Sequence, residues 1–403
     1  MATVLLLGTF DTKGEEHAFA ARRLAAAGVD VLKMDVGVLG EPALTPDLTA
    51  AEVLAAAGGD LDELRSAADR GAAVSTMAEA AAVAVANLYS EGRIDGALAL
   101  GGTGGTSIAA RAFAELPLGV PKFVVSTAAS GDTSAYVAET DLVLMPSVVD
   151  VAGVNRISAR VIANAAGAVA GAVTAPPVPR HSESALLAAS MFGVTTPCVT
   201  TGREALERLG YEVLVFHMTG TGGRTMEALA AQGLLNGLFD VTTTELADEL
   251  VGGVMSAGPQ RLLRSGRLPR VVSVGALDMV NFGPRDTVPE RFEGRNLYVH
   301  NPSVTLMRTT AEECHELGTR LASRLNQGSA PTVLVLPLRG VSAISTEGGP
   351  FHDPAADAAL FEAVRANLDG SGPVDLVELD TDINDPEFAR VATERLHDAI
   401  RQV

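Results

Sequence analysis

The chain reads as an α/β protein of two Rossmann-like domains, each a mostly parallel, doubly wound sheet flanked by helices. Three observations predict this. Short, continuous apolar runs alternate with helical segments nearly from end to end, and such strands belong to parallel sheets covered on both faces. At 403 residues the chain is too long for one ordinary core. The run Ala175-Pro176-Pro177-Val178-Pro179 breaks helix and strand alike, which sets the domains at 1–178 and 179–403.

In the first half, Val4 to Gly8 predicts a strand, Glu15 to Ala27 a helix and Val29 to Val36 a second strand. Gly37 to Asp60, rich in Pro and Gly, is expected to be irregular. A helix over Met77 to Tyr89 leads to strand Ile94 to Leu100 and a helix from Ser107. Strands Lys122 to Ser126 and Leu142 to Met145 precede a helix over Ile157 to Val173. In the second half, strands are expected at Ala185 to Ser190, Val213 to His217, Val271 to Val274, Leu297 to His300, Thr332 to Leu336 and Val374 to Leu379. Helices fill the gaps, among them Pro197 to Leu209 and Pro386 to Ile400. A ligand cleft is expected between the two domains.

Composition excludes several classes. A net charge of −19 argues against nucleic acid, which needs a basic footprint, and 4% aromatics without Trp supply no stacking platform. The longest apolar stretches, such as Ala163 to Val173, are too short for a membrane span. No secretion signal precedes the first strand, and two cysteines, Cys198 and Cys314, are too few for a disulfide framework; together these point to the cytoplasm.

Two matched phrases carry the strongest functional signal. Gly102-Thr103-Gly104-Gly105-Thr106-Ser107 follows the apolar run Ala97 to Leu100, and Gly220-Thr221-Gly222-Gly223-Arg224-Thr225 follows Val213 to His217. Each takes a strand into an Ala-rich helix, an arrangement that aims backbone N–H groups and a helix N-terminus at one point and suits a phosphate or carboxylate. A plain tight turn accounts for either phrase alone; two copies at the same kind of junction favour binding. Which of the two holds the phosphates stays open.

Other strand ends add polar groups. Gly8-Thr9-Phe10-Asp11-Thr12-Lys13-Gly14-Glu15 follows the first strand, where Thr12 and Glu15 fit a capping box, Lys13 can reach a phosphate and Asp11 can hold Mg²⁺ through water. Ser126, Thr127, Ser130 and Gly131 form a hydroxyl-rich loop, and Asp150, with Asn155, is a metal or ribose partner or simply a helix cap. In the second half, Asp240 stands 20 residues after Gly220, where dinucleotide sites place a ribose-binding acid. His217, Asp278 and His300 are the candidates for acid–base chemistry, with Asn281, Arg308 and Glu347 nearby in sequence. No G-x-x-x-x-G-K-[ST], complete G-x-G-x-x-G, G-x-S-x-G or H-E-x-x-H occurs.

Gly8 to Glu15, Gly101 to Thr106, Val125 to Gly131, Ser147 to Asn155, Phe216 to Glu227, Gly275 to Asn281, His300-Asn301-Pro302 and Leu336 to Ser342, in this order, resemble the family named for the tomato mosaic virus resistance protein. The resemblance covers about residues 1 to 370. It implies two Rossmann-like subdomains, binding of ATP with Mg²⁺, and a homodimer or higher homo-oligomer. The plant member's inhibition of a viral replicase belongs to a longer protein and is not carried over. Three readings follow: a cytoplasmic ATP/Mg²⁺-binding protein that acts on a small-molecule ligand, a nucleotide-independent enzyme for a phosphorylated or carboxylated metabolite, and a non-catalytic sensor or scaffold.

Overall fold

Val4, Leu5, Leu6 and Leu7 are all buried, and they sit in a strand with a parallel neighbour on each side. The structure, a computed structural model, describes residues 1–67, 69–177 and 184–403. The chain divides into units Met1–Pro179 and Arg180–Val403. The junction expected between Val178 and Pro179 lies outside the described residues.

The first unit runs β1 (Thr3–Gly8), α1 (Phe10–Ala26), β2 (Asp30–Asp35), α2 (Ala50–Ala56), α3 (Leu61–Ser66), α4 (Arg70–Ser90), β3 (Gly96–Gly101), α5 (Thr103–Phe113), β4 (Lys122–Ser126), α6 (Ser134–Val137), β5 (Val143–Pro146) and α7 (Ser158–Thr174). Its five parallel strands lie in the order β2-β1-β3-β4-β5. Alternation along β1 splits the core. Leu5 and Leu7 pack with Met77, Ala81, Ile108 and Phe113 of α4 and α5, while Val4 and Leu6 pack with Ala20, Leu24 and Ile162 of α1 and α7.

Three helices begin earlier than expected. α1 starts at Phe10, with Thr9 rather than Thr12 at its N-cap, because Asp35 at the end of β2 accepts the Phe10 amide at 2.9 Å. α4 starts at Arg70, where Asp69 accepts the amides of Gly71 and Ala72. α5 starts inside the glycine phrase, with Gly102 at its N-cap. The stretch expected to be irregular contains α2, opened by a capping box between Thr49 and Glu52. α4 is long and apolar enough to cross a membrane by length and composition, and half of that window is buried inside the fold.

The second unit runs β6 (Leu186–Met191), α8 (Thr196–Arg208), β7 (Glu212–His217), α9 (Thr221–Ala231), β8 (Gly237–Thr242), α10 (Glu245–Val251), β9 (Arg270–Gly275), β10 (Met279–Phe282), β11 (Leu297–Asn301), β12 (Val304–Arg308), α11 (Ala311–Asn326), β13 (Thr332–Pro337), α12 (Pro354–Asn367), β14 (Val374–Leu379) and α13 (Pro386–Ile400). Six parallel strands lie in the order β14-β13-β9-β8-β6-β7. A separate three-stranded antiparallel sheet, β10-β12-β11, departs from the expected pattern: it takes Leu297 to His300 out of the parallel sheet, and Arg308 ends its middle strand.

Candidate functional site

In a doubly wound sheet, ligands settle outside the carboxyl ends of the strands, where the strand order reverses. In the first unit that point lies between β1 and β3, and a cavity of about 710 Å³ opens there. Thr9, Asp11, Thr12 and Lys13 line it from the end of β1, and Gly102, Thr103, Gly104 and Gly105 from the end of β3. Val36, Val38, Leu64, Val74, Met77 and Ile108 give it an apolar wall, and Arg65, Asp69 and Arg70 lie along its rim. All of these residues belong to one unit.

The glycine turn offers unused donors. Thr106 is the first residue of α5 whose amide reaches a carbonyl, that of Gly102, so among the described residues the amides of Thr103, Gly104 and Gly105 have no internal acceptor. Nor does the fold demand glycine at three of these positions. A Cβ on Gly102, Gly104 or Gly105 would meet nothing closer than 3.7, 3.6 and 3.8 Å, which is ordinary contact. Small residues there keep the cavity open up to the backbone.

The second phrase is put to a different use. Glu245, at the start of α10, accepts the amides of Gly220 at 2.8 Å and Gly223 at 3.1 Å. A Cβ on Gly223 would lie 1.9 Å from that carboxylate, and one on Gly222 1.9 Å from the His217 carbonyl. Gly220 adopts φ +86°. Arg261, fully buried, binds Glu245, Glu227 and Asp240 together. Asp240 is therefore a buried partner of Arg261, with no exposure for a ribose. Arg224 donates to the Ser256 carbonyl. The phrase also follows β7, an edge strand, and not the β6–β8 reversal. The anion it holds is the chain's own.

The remaining expected residues divide by task. Gly8 leaves room for the buried His17, whose Nε2 a Cβ would approach to 1.8 Å. Buried Thr106 and Ser126 hydrogen-bond to each other at 2.6 Å. Lys13 lines the cavity while its ammonium donates to the Val151 carbonyl. Asp11 accepts the amides of Leu39 and Gly40 through Oδ2, and its Oδ1 is buried without a partner. Thr127, Ser130 and Asp150 line another hollow, and Gly131 is exposed at the end of that loop. Among the described residues, no three His, Cys, Asp or Glu side chains are grouped to hold a metal.

His217 ends β7 exposed, its ring stacked on Phe192 with centroids 5.3 Å apart; His300 is exposed on β11 of the antiparallel sheet. Asp278 is fully buried, accepts the Ser342 hydroxyl at 2.8 Å, and burial pushes its carboxyl up to about 6 against the pull of Arg308. No hydrogen bond joins any two of these three among the described residues. Sequence reasoning missed Arg70, Asp35, Glu245 and Arg261. Arg70 was hidden by the late helix start, and the others act through partners distant in the chain.

The fold defines an α/β protein of two Rossmann-like units, with a cavity of about 710 Å³ in the first. The profile of an uncharacterised protein family (UPF0261) matches the chain twice, its N-terminal domain over residues 2–177 and its C-terminal domain over 184–400. The chain belongs to that family. A UPF0261 protein of Clostridium tetani is 46% identical over 395 residues, covering 98% of each chain, and one of Mesorhizobium japonicum is 47% identical, covering 97% of each. The ToMV resistance protein Tm-1 of Solanum lycopersicum is 43% identical over 327 residues, which are 79% of this chain and 43% of the tomato protein.

Proposed function

We propose that the first unit binds a nucleotide, ATP with Mg²⁺, with the phosphates on the amides of Thr103, Gly104 and Gly105 and the base against the apolar wall. The observation that carries this is the glycine turn at the strand-order reversal. Its donors are unsatisfied and its glycines are not required by packing, so both features suit close approach of phosphate oxygens. The Arg70 side chain lines the same cavity and makes no ion pair or hydrogen bond among the described residues, which leaves a cation for a phosphate in an otherwise acidic chain. Magnesium enters this reading as the ion that travels with the phosphates, since the protein's own donors do not gather round one. The protein would act as a homodimer in the cytoplasm, in keeping with the family resemblance and two buried free thiols.

Thermal denaturation with ATP, with and without Mg²⁺, tests the reading: at 100 times Kd a ligand adds about 2.7 kcal/mol. Gly104→Val should abolish that stabilisation in a folded protein. A folded Gly104→Val protein with unchanged ATP affinity would remove the site. Light scattering reports the oligomer, and ADP release reports whether binding is accompanied by turnover.

A further inference from the structure

A second hollow, of about 290 Å³, lies at the ends of β4 and β5 and is lined by Thr127, Ser130, Ser147, Val148, Val149 and Asp150. We propose that it is a binding site for a neutral polyhydroxylated small molecule, a sugar or polyol, distinct from the nucleotide cavity. Ser147 is only 5% exposed, yet among the described residues its hydroxyl has no hydrogen-bond partner, and it faces this hollow. Its oxygen is not fully enclosed, which leaves the hydroxyl open to a ligand from the hollow. Thr127, Ser130 and Asp150 likewise have no side-chain hydrogen bond among the described residues. Three hydroxyls that donate and accept, beside a carboxylate that accepts twice, match the hydroxyl pairs of a sugar. The two valines supply the apolar face that its C–H groups need. Among the described residues no Lys or Arg lines the hollow, and the Asp150 carboxylate that does disfavours an anion.

Backbone strain points to the same place. The Val149 amide closes on the Ser147 carbonyl at 2.7 Å, which forces Val148 to φ +65° and leaves its side chain 74% exposed. A β-branched residue in that region is an outlier that the surroundings must hold in place, and such outliers gather at ligand sites. Two ties supply the hold: Lys13 donates to Val151, and Glu16 accepts the Gly153 amide at 2.5 Å. Thr127 Oγ1 also stands 3.7 Å from where a Cβ of Gly102 would be, so the hollow adjoins the glycine turn.

Saturation-transfer NMR on the full chain without nucleotide tests this with glycerol, D-ribose, D-glucose and myo-inositol as probes, and with ethanolamine and inorganic phosphate as charged counterparts. At least one polyol should bind. Asp150→Asn and Ser147→Val should each weaken it fivefold or more, while ATP affinity stays within twofold. Thr127 is exposed, so Thr127→Val keeps the test standing if Ser147→Val fails to fold. Silence from all four polyols, equal binding in the folded variants, or stronger binding of ethanolamine or phosphate at this hollow would each overturn the proposal.

Discussion

Glu245 Oε1 lies 2.8 Å from the amide nitrogen of Gly220, in the position a bound phosphate oxygen takes at a glycine-rich helix start. The chain thus answers one of its two glycine phrases internally. Removing this carboxylate should expose the cost. Glu245→Ala leaves two amides and part of Arg261 unpaired in a buried place, and we expect a loss of about 3–5 kcal/mol. Formate or acetate should restore part of the melting temperature in the variant and none in the parent protein. An equal effect of formate on both would sink the account.

The two phrases should also differ in their tolerance of a methyl group. Gly104→Ala meets Val74 at 3.6 Å and should leave stability unchanged within about 1 kcal/mol. Gly222→Ala drives a Cβ to within 1.9 Å of the His217 carbonyl and should cost about 3 kcal/mol or more. Urea denaturation of both variants settles the contrast, and similar midpoints would contradict it.

Arg70 and Lys13 line the same cavity but are engaged differently, since among the described residues only the Lys13 side chain has an internal acceptor. Arg70→Met should therefore weaken ATP binding tenfold or more, roughly 1.5–3 kcal/mol, and flatten its dependence on salt. Lys13→Met should instead loosen the loop around Val151, read as faster amide exchange there. Titration calorimetry at two ionic strengths separates them; a Kd for Arg70→Met within twofold of the parent's would refute its role.

Burial raises the Asp248 carboxyl from 3.8 to about 7, although Asn281 and Met255 donate hydrogen bonds to it. A carboxyl whose folded value lies above its unfolded one takes up protons on folding. Its contribution is complete below about 3.8 and declines as pH rises through about 7. Asp248→Asn imitates the protonated form. Its Nδ2 can donate to Asn281 Oδ1, now buried without a partner, once that amide turns over. The variant should gain stability at pH 8, up to about 4 kcal/mol, and gain little at pH 4. Melting curves across pH 4–8 decide this, and a gain that does not grow with pH would count against it.

Much of the sheet architecture was readable because parallel strands are continuously apolar: Lys122 to Ser126 and Val374 to Leu379 are strands over those same residues. The glycine turn beside β3 was readable too, as a short motif at a strand end. What could not be read acts across distance. The start of α1 depends on Asp35, from the next strand, and the second glycine phrase depends on Glu245, 25 residues beyond Gly220. Local sequence shows a donor-rich turn in both copies alike. Only the tertiary fold tells which one already has its acceptor. The antiparallel sheet was missed because β10 and β12 are four and five residues long, too short for a pattern to stand out.

The ties from Lys13 and Glu16 to the loop after β5 join residues 138 and 137 positions apart. A chain made from its N-terminus exposes the first helix to solvent long before its partners leave the ribosome. Loop closure over that separation costs more chain entropy than the local contacts of a helix do. The strained turn at Val148 is thus held by the first part of the chain to be made, and it cannot be fixed before the last loop of the first unit has met that helix.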